Sequence, residues 1–228
     1  ISDGTTKFQL NKIVITNNTD IRSLVKTNTT INSLAAIFSL SEYILVNNLS
    51  SSVSVAIGAL SNLNLNNVNS QLFSDEHDTS GSVSMYLNSI LSMAYAACML
   101  ELIDRLKAKN IFNETVIVTG GEFGRNPRTN GQGSDHGYRG SSSSIYSGAI
   151  SSPLILGNIK NGTAAGGYAG TWGEGASVAE LGKQVDLGHW ASTIATLLRV
   201  PSPITASQSL VAVVNGQVVP LVELAKQV

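Results

Sequence analysis

Three histidines are the side chains of this chain best suited to bind a metal ion or to move a proton. His77 lies in the densest acidic cluster of the sequence, Asp75-Glu76-His77-Asp78. On an extended segment, Asp75 and His77 point to the same side because they are two residues apart, so both can reach one cation. The spacing predicts a metal site, although a solvated acidic loop without a function has the same composition.

A carboxylate and a guanidinium follow the most strand-like segment of the chain. Residues 115–119 read TVIVT, and two glycines then lead to Glu122 and Arg125. In α/β sheets, ligands bind at the carboxyl ends of the strands. Glu122 is therefore a candidate metal ligand, and Arg125 is a candidate binding residue for an anion such as phosphate or sulfate. The alternative interpretation is a Glu–Arg salt bridge that braces a loop.

The other two histidines differ in their surroundings. His136 lies in Gly133-Ser134-Asp135-His136-Gly137, within a long polar stretch where a histidine has no core to fill. It is either an exposed side chain without a function or a ligand, and we favour the ligand. His189 stands at the start of a predicted helix, after Asp186, and this position favours helix capping or packing over catalysis. The sequence contains no nucleophile elbow, phosphate loop or HExxH motif, so no motif supports Ser-His-Asp catalysis.

Composition narrows the function classes. The chain has 228 residues, of which 43% are hydrophobic and 13% charged, with a formal net charge of -1. Because there is no basic block, we expect no nucleic-acid binding. The apolar runs are interrupted well short of a membrane span, so we expect no transmembrane segment. The single cysteine, Cys98, excludes an internal disulfide and a cysteine zinc cluster, and its apolar surroundings predict a buried thiol.

The elements that must position these residues alternate between helices and strands, which indicates an α/β class. Apolar spacing predicts a helix over 31–49, alternation predicts a strand over 53–57, and 58–71 has no clear period and is expected to be a loop or insertion. The strongest helix is predicted over 84–108, with its end near Asn110 and an i,i+4 pair between Glu101 and Arg105. Its apolar stripe consists of Leu87, Leu91, Ala94, Cys98, Leu102 and Leu106.

The second half of the chain also alternates between predicted strands, loops and a helix. We predict a buried strand over 115–119, a long polar loop over 120–145, a short strand over 153–156 and a Gly-rich excursion over 157–177. A helix is predicted over 189–200, where Pro201 stops it. The last prediction is a β-hairpin, whose strands 211–214 and 217–219 flank the turn residues Asn215-Gly216.

In order, these segments resemble the DUF1501 family, bacterial exported proteins related to sulfatases and alkaline phosphatases. The resemblance rests on Asp75-Glu76-His77, on the long helix, on TVIVTGGEFGRNPRTNG, on Ser134-Asp135-His136-Gly137 and on HWASTIATLLRV. The E-F-G-R-x-P-R string followed by D-H is its most specific part. The resemblance covers residues 72–228, as the C-terminal half of an alkaline phosphatase-like domain, and leaves 1–71 as a poorly assigned N-terminal segment with a loop, one helix and one strand.

The resemblance implies a fold and a ligand set. The expected fold is α/β, with a mainly parallel sheet flanked by helices, incomplete at its N-terminus, and with one or two divalent cations (Zn, Ca, Mg or Mn) at the strand ends. By position, Asp75, His77 and His136 would be metal ligands. Glu122 stands where the superfamily has an aspartate, and Phe123 stands where it has a histidine. Because phenylalanine cannot bind a metal, a second metal site is weakened or altered.

Three function classes follow from this reading. The first is a metal-dependent hydrolase acting on a phosphate or sulfate ester of a small molecule or glycan, with Arg125, assisted by Arg128, stabilising the developing charge. The superfamily's nucleophile and its first metal-binding aspartate have no counterpart in 1–71, so a partner chain or a missing N-terminal segment would have to supply them. The second class is a non-catalytic exported protein that keeps the fold for binding or assembly.

The third class is a carbohydrate-binding domain, for which Trp172, Trp190 and Tyr168 offer stacking faces; buried aromatic packing explains the same residues. The Asn-, Ser-, Thr- and Gly-rich composition suggests a periplasmic or extracellular location. The sequence starts at Ile1 without a methionine or a signal peptide, so we expect a mature, cleaved or partial chain.

Overall fold

The structure of the chain is a computed structural model that describes residues 29–57, 60–65, 68–72, 81–121, 124–127, 134–138, 141–160 and 174–222. It divides into two compact units. The first unit comprises residues 1–110 and 130–134, and the second comprises residues 111–129 and 135–228. The predicted boundary at residues 71 and 72 stays a prediction.

The described elements are helices and short strands. The helices are α1 (Thr29–Val46), α2 (Gly81–Ala108) and α3 (Leu187–Leu198), with a 3-10 turn at Phe112–Glu114. The strands are β1 (Leu60–Leu65), β2 (Val68–Leu72), β3 (Val116–Gly120), β4 (Gly124–Pro127), β5 (Ser134–Tyr138), β6 (Ser143–Ser147), β7 (Ile159–Lys160), β8 (Glu174–Gly175), β9 (Ser177–Val178), β10 (Lys183–Gln184), β11 (Val211–Val214) and β12 (Gln217–Pro220).

The core of the first unit is the contact between α1 and α2. Leu34 and Phe38 are the buried apolar side chains of α1, and the Phe38 ring meets Tyr95 of α2 edge-on, with centroids 6.0 Å apart. The predicted apolar stripe of α2 is confirmed where its side chains are described. Four of its members are buried: Ala94, Cys98, Leu102 and Leu106.

The polar side and the end of α2 also agree with the sequence. Arg105 Nε donates to Glu101 Oε1 at 2.8 Å, so the predicted i,i+4 pair is confirmed. The helix ends at Ala108, and Asn110 then takes a positive φ of 59°. Asparagine tolerates this left-handed conformation better than most residues, which explains why the chain leaves the helix there.

Several local predictions were wrong. Residues 53–57 form no strand, and the segment expected to be a loop over 58–71 instead carries the antiparallel pair β1–β2, with Leu65 opposite Val68. The alternation Leu63-Asn64-Leu65 is the period-two signal for that pair, and it is short enough to be overlooked. At 153–156 the structure has only an isolated bridge at Leu156; Pro153 has no N–H to give to a ladder.

The second unit is organised around the antiparallel pair β3–β6. Its register runs from Val116 opposite Ser147 to Gly120 opposite Ser143. The predicted strand at 115–119 is therefore confirmed with a shift of one residue, although Val116–Thr119 are half-buried rather than fully buried. The stretch 120–145, expected to be a loop, contains β4, β5 and the start of β6.

Hairpin β11–β12 and helix α3 pack together in the core of this unit. The turn residues Asn215 and Gly216 have φ values of 51° and 77°, so the predicted two-residue hairpin is confirmed, with positive φ at both positions. Val211 and Val218 of the hairpin are buried with Leu197 of α3. A second apolar cluster joins Val178, Leu210 and Val222.

The described strand pairs β1–β2, β3–β6, β7–β8, β9–β10 and β11–β12 are antiparallel. The mainly parallel sheet that the resemblance implies stays a prediction. What the structure establishes is local: two packed helices and the pair β1–β2 in one unit, and further strand pairs with helix α3 in the other.

The burial of α2 makes a quantitative prediction. Replacing the fully buried Leu106 by alanine should lower the free energy of unfolding by about 2–5 kcal/mol, because the change removes buried apolar surface and leaves a cavity. Leu100→Ala on the same helix is the matched control, since that side chain is 40% exposed and should cost under about 1 kcal/mol. Urea unfolding followed by circular dichroism measures both; equal losses would contradict the described packing.

Candidate functional site

The predicted site residues are described to different extents. Asp75, His77 and Glu122 lie outside the described residues, as do Phe123 and Arg128. Arg125 lies on β4 and His136 lies on β5. The assignment of Asp75, His77, Glu122 and His136 as metal ligands, and of Arg125 as a catalytic residue, therefore stays a prediction.

The structure brings Arg125 and His136 onto neighbouring strands. β4 and β5 form one two-stranded sheet, so their backbones are hydrogen-bonded to each other. Paired strands lie about 4.8 Å apart, so Arg125 and His136 lie on adjacent strands. The sequence did not predict this pairing, because the polar composition of 120–145 hides the two strands.

The pair β3–β6 joins the two ends of the chain segment that contains β4 and β5. Gly120 ends β3 and lies opposite Ser143, which begins β6. The chain therefore leaves and re-enters the pair β3–β6 at adjacent positions. A Cβ on Gly120 would lie 2.7 Å from Ser143 Oγ, so a larger residue there would require the Ser143 side chain to move.

A second polar group lies at the start of α3. The Asp186 carboxylate accepts the backbone N–H of His189 at 3.1 Å and Lys183 Nζ at 3.1 Å. In return, His189 Nδ1 lies 3.2 Å from the backbone nitrogen of Asp186, which completes a capping box. His189 is 1% exposed, so the prediction that it serves the helix start is confirmed.

The same contacts set the charge of the cap. The N–H of His189, followed by the ammonium of Lys183, holds the pKa of Asp186 well below its ordinary value. Asp186 is therefore a carboxylate at neutral pH. The positive end of the α3 dipole adds to the same effect.

Buried hydroxyls tie α3 to the chain that follows it. Ser192 Oγ lies 2.7 Å from the carbonyl oxygen of Ser207 and 2.7 Å from Ser202 Oγ. Thr193 Oγ1 donates to the carbonyl of His189 at 2.7 Å and accepts the N–H of Leu210 at 2.9 Å. These hydroxyls are engaged in structural hydrogen bonds, so neither fits the role of a free nucleophile.

Other candidates can be placed where the chain is described. Cys98 is buried, and burial raises the pKa of its thiol, which confirms a structural cysteine. Trp190 is half-buried, whereas Trp172 and Tyr168 lie outside the described residues. Within the described ranges, no group of three His, Cys, Asp or Glu side chains could hold a metal ion. None of the described helices is long and apolar enough to cross a membrane.

The cap at α3 predicts a pH-dependent stability. Asp186→Ala should lower the free energy of unfolding at pH 7 by about 0.5–2 kcal/mol, the usual cost of losing an N-cap. Because the pKa of Asp186 is lowered by folding, its charge stabilises the folded chain above about pH 4, and this contribution is lost as the pH falls further.

Urea unfolding at pH 7 and at pH 3 tests that sign. The difference between the wild type and Asp186→Asn, which keeps a capping oxygen but no charge, should be larger at pH 7 than at pH 3. It should also shrink in high salt, because the Asp186 side chain is 48% exposed. Glu180→Gln, which removes an exposed carboxylate nearby, is the control. A difference that grows on acidification would contradict the assignment.

Comparisons with known proteins add one finding. Neither the curated proteins nor the solved structures contain a match to the chain. Residues 68–167 match a family model described as "Protein of unknown function (DUF1501)". The matched range includes β3 to β7 and all five predicted site residues, Asp75, His77, Glu122, Arg125 and His136. Over this segment, the match supports the resemblance of the chain to the DUF1501 family.

Proposed function

We propose that the chain is a metal-dependent hydrolase-like domain that acts on phosphate or sulfate esters. The observation that carries the proposal is the pairing of β4 with β5, which sets the strands of Arg125 and His136 side by side. An anion-binding side chain and a metal-binding side chain on adjacent strands are the minimum that such a reaction requires. Both residues lie in the range that matches the family model.

The chemistry of the donor set fits a divalent cation. Two imidazoles, from His77 and His136, and two carboxylates, from Asp75 and Glu122, are ligands that such ions accept in proteins. We propose that these four residues hold it. Phe123 offers no donor where the superfamily has a histidine, which favours one cation over two. When bound, the cation would polarise the ester oxygen and lower the pKa of an attacking hydroxyl or water.

Arg125 has its own role in the proposal. Its planar guanidinium can donate two parallel hydrogen bonds to the non-bridging oxygens of a phosphate or sulfate, as a lysine cannot. The charge on these oxygens changes during ester cleavage, so a fixed guanidinium both positions the ester and stabilises the transition state. The nucleophile is not assigned to a side chain of the chain, and a partner chain or a further N-terminal segment would supply it.

The proposal extends to fold and location. An alkaline phosphatase- or sulfatase-like α/β domain with a mainly parallel sheet would bring the ends of several strands to one edge, where β3 ends at Gly120. A periplasmic or extracellular site of action suits a composition rich in Asn, Ser, Thr and Gly. The described strand pairs are antiparallel and do not support the parallel sheet, which rests on the resemblance of the motifs.

A second candidate is an exported protein that keeps the fold for binding or assembly without catalysis. The phenylalanine at position 123 favours it, since an intact two-metal centre would need a donor there. Arg125 would then bind an anionic group without cleaving it. The two candidates differ in whether ester hydrolysis accompanies binding.

Metal content tests the first candidate directly. The purified wild type, dialysed against metal-free buffer, should retain about one divalent ion per chain by plasma mass spectrometry. His77→Ala and His136→Ala should each lower that content at least tenfold, because each removes an imidazole ligand. Glu101→Gln, on the exposed side of α2, should leave it unchanged. A wild type without bound metal would overturn the hydrolase proposal, and metal that survives both substitutions would overturn the ligand assignment.

Arg125 is tested by turnover of 4-nitrophenyl phosphate and 4-nitrophenyl sulfate. Arg125→Ala should reduce kcat/KM by about 10²–10³-fold, the usual cost of one charge-stabilising donor. Arg125→Lys should recover only part of this loss, because an ammonium lacks the planar fork. Arg105→Ala is the control, because it removes an exposed arginine of α2. Unaltered turnover in Arg125→Ala would remove this residue from the mechanism; binding of the ester without turnover in the wild type would favour the second candidate.

A further inference from the structure

The two faces of the pair β3–β6 differ in their surroundings. Side chains alternate between the faces along each strand, and residues opposite each other in an antiparallel pair share a face. Val116 and Ile145 lie on one face and pack against the apolar cluster around Leu197. The other face, called the open face below, carries two opposite pairs: Ile117 with Tyr146, and Thr119 with Ser144. It is accessible to a ligand, because Tyr146 is 38% exposed and Ser144 is exposed as well.

The open face combines an aromatic ring with hydroxyl groups and carries no charge. Neither β3 nor β6 contains an acidic or basic residue. Within the described part of the chain, the hydroxyls of Thr119, Ser144 and Tyr146 form no hydrogen bond with another protein group. Each of these hydroxyls can both donate and accept. The face therefore offers three hydrogen-bonding groups beside an exposed ring.

We propose that the open face binds a neutral sugar ring. The C–H groups on one side of a pyranose can pack on the electron-rich face of the Tyr146 ring. Ser144 lies two residues from Tyr146 on β6, about 7 Å along the strand, and Thr119 lies opposite Ser144. A sugar stacked on Tyr146 thus has its hydroxyls within reach of the Thr119–Ser144 pair, where each side can donate and accept.

The chemistry of the open face favours a sugar over other ligands that stack on aromatic rings. A nucleic acid brings phosphates, which require basic groups that β3 and β6 do not contain. A wholly apolar partner would remove the three hydroxyls from water without giving them hydrogen bonds, which is costly. A neutral ligand rich in hydroxyls avoids both penalties. The binding does not depend on the proposed hydrolase activity, since a protein without catalysis could use the same face.

Titration of the full chain with cellotriose, chitotriose and maltotriose, followed by backbone amide NMR, tests the proposal. At least one trisaccharide should shift the signals of Ile117, Thr119, Ser144 and Tyr146, with a Kd in the millimolar range, as expected for one ring and a few hydrogen bonds. Tyr146→Ala should weaken this binding at least tenfold, whereas Tyr146→Phe, which keeps the ring, should change it by less than about threefold. If none of the three sugars shifts these signals, the proposal is overturned.

Two neighbouring serines provide a matched pair of variants. Ser143 and Ser144 are both exposed, but they lie on opposite faces of β6. Ser144→Ala should weaken binding about threefold to tenfold, because it removes one hydrogen bond, and Ser143→Ala should leave binding unchanged. Tyr43→Ala, which removes another exposed tyrosine, on α1, should also leave it unchanged. Equal losses in the two serine variants would contradict the assignment of the face, and this pair decides the question if Tyr146→Ala does not fold.

The outcome is separable from that of the metal experiment. The trisaccharides carry no phosphate or sulfate, and their binding is measured without a metal ion. A chain that binds a sugar on the open face but retains no cation would keep this proposal and lose the hydrolase one. A chain that retains a cation but gives no shift on the open face would do the reverse.

Discussion

The ladder between β3 and β6 is the constraint on which the candidate site depends. It joins Val116 to Ser147 at one end and Gly120 to Ser143 at the other, in five consecutive antiparallel pairs. Because the chain leaves at Gly120 and returns at Ser143, the entropy of closing the intervening segment is offset by a ladder that the core also requires. Val116 and Ile145 pack against the cluster around Leu197.

Helix α3 is held at both ends by polar contacts and along its length by apolar ones. The Asp186–His189 box begins the helix, and Arg199 ends it with a positive φ of 58°. Between them, the buried Ser192 and Thr193 direct their hydroxyls to the segment that leads to β11. A buried hydroxyl is tolerated only when its hydrogen bonds are made, so these contacts specify one arrangement of helix and hairpin.

The sequence predicted the elements whose signals are local. The stripe of α2, the stop near Asn110 and the Asn215-Gly216 turn each follow from the side chains or backbone preferences of a few consecutive residues. The pair β1–β2 has only a short alternating signal, at Leu63-Asn64-Leu65, and the pair β4–β5 lies in a polar stretch. Both pairs depend on a partner strand that the linear pattern does not reveal, so the sequence did not predict them. For the same reason, the sequence predicted only part of the candidate site. It identified Arg125 and His136 as candidate residues, but their placement on adjacent strands depends on strand pairing. The parallel sheet was inferred from motifs alone, and no local signal distinguishes it from antiparallel pairing.

The buried side chains of α2 include the small residues Ala94, Ala97 and Cys98 as well as the larger Leu102 and Leu106. Small residues let a neighbouring helix backbone approach closely, so little spare volume remains around their side chains. Enlarging Ala94 would force the helices apart or push neighbours out of their rotamers. The packing of α2 therefore restricts the size of its buried side chains, since added methyl groups and deleted ones each disturb the same contacts.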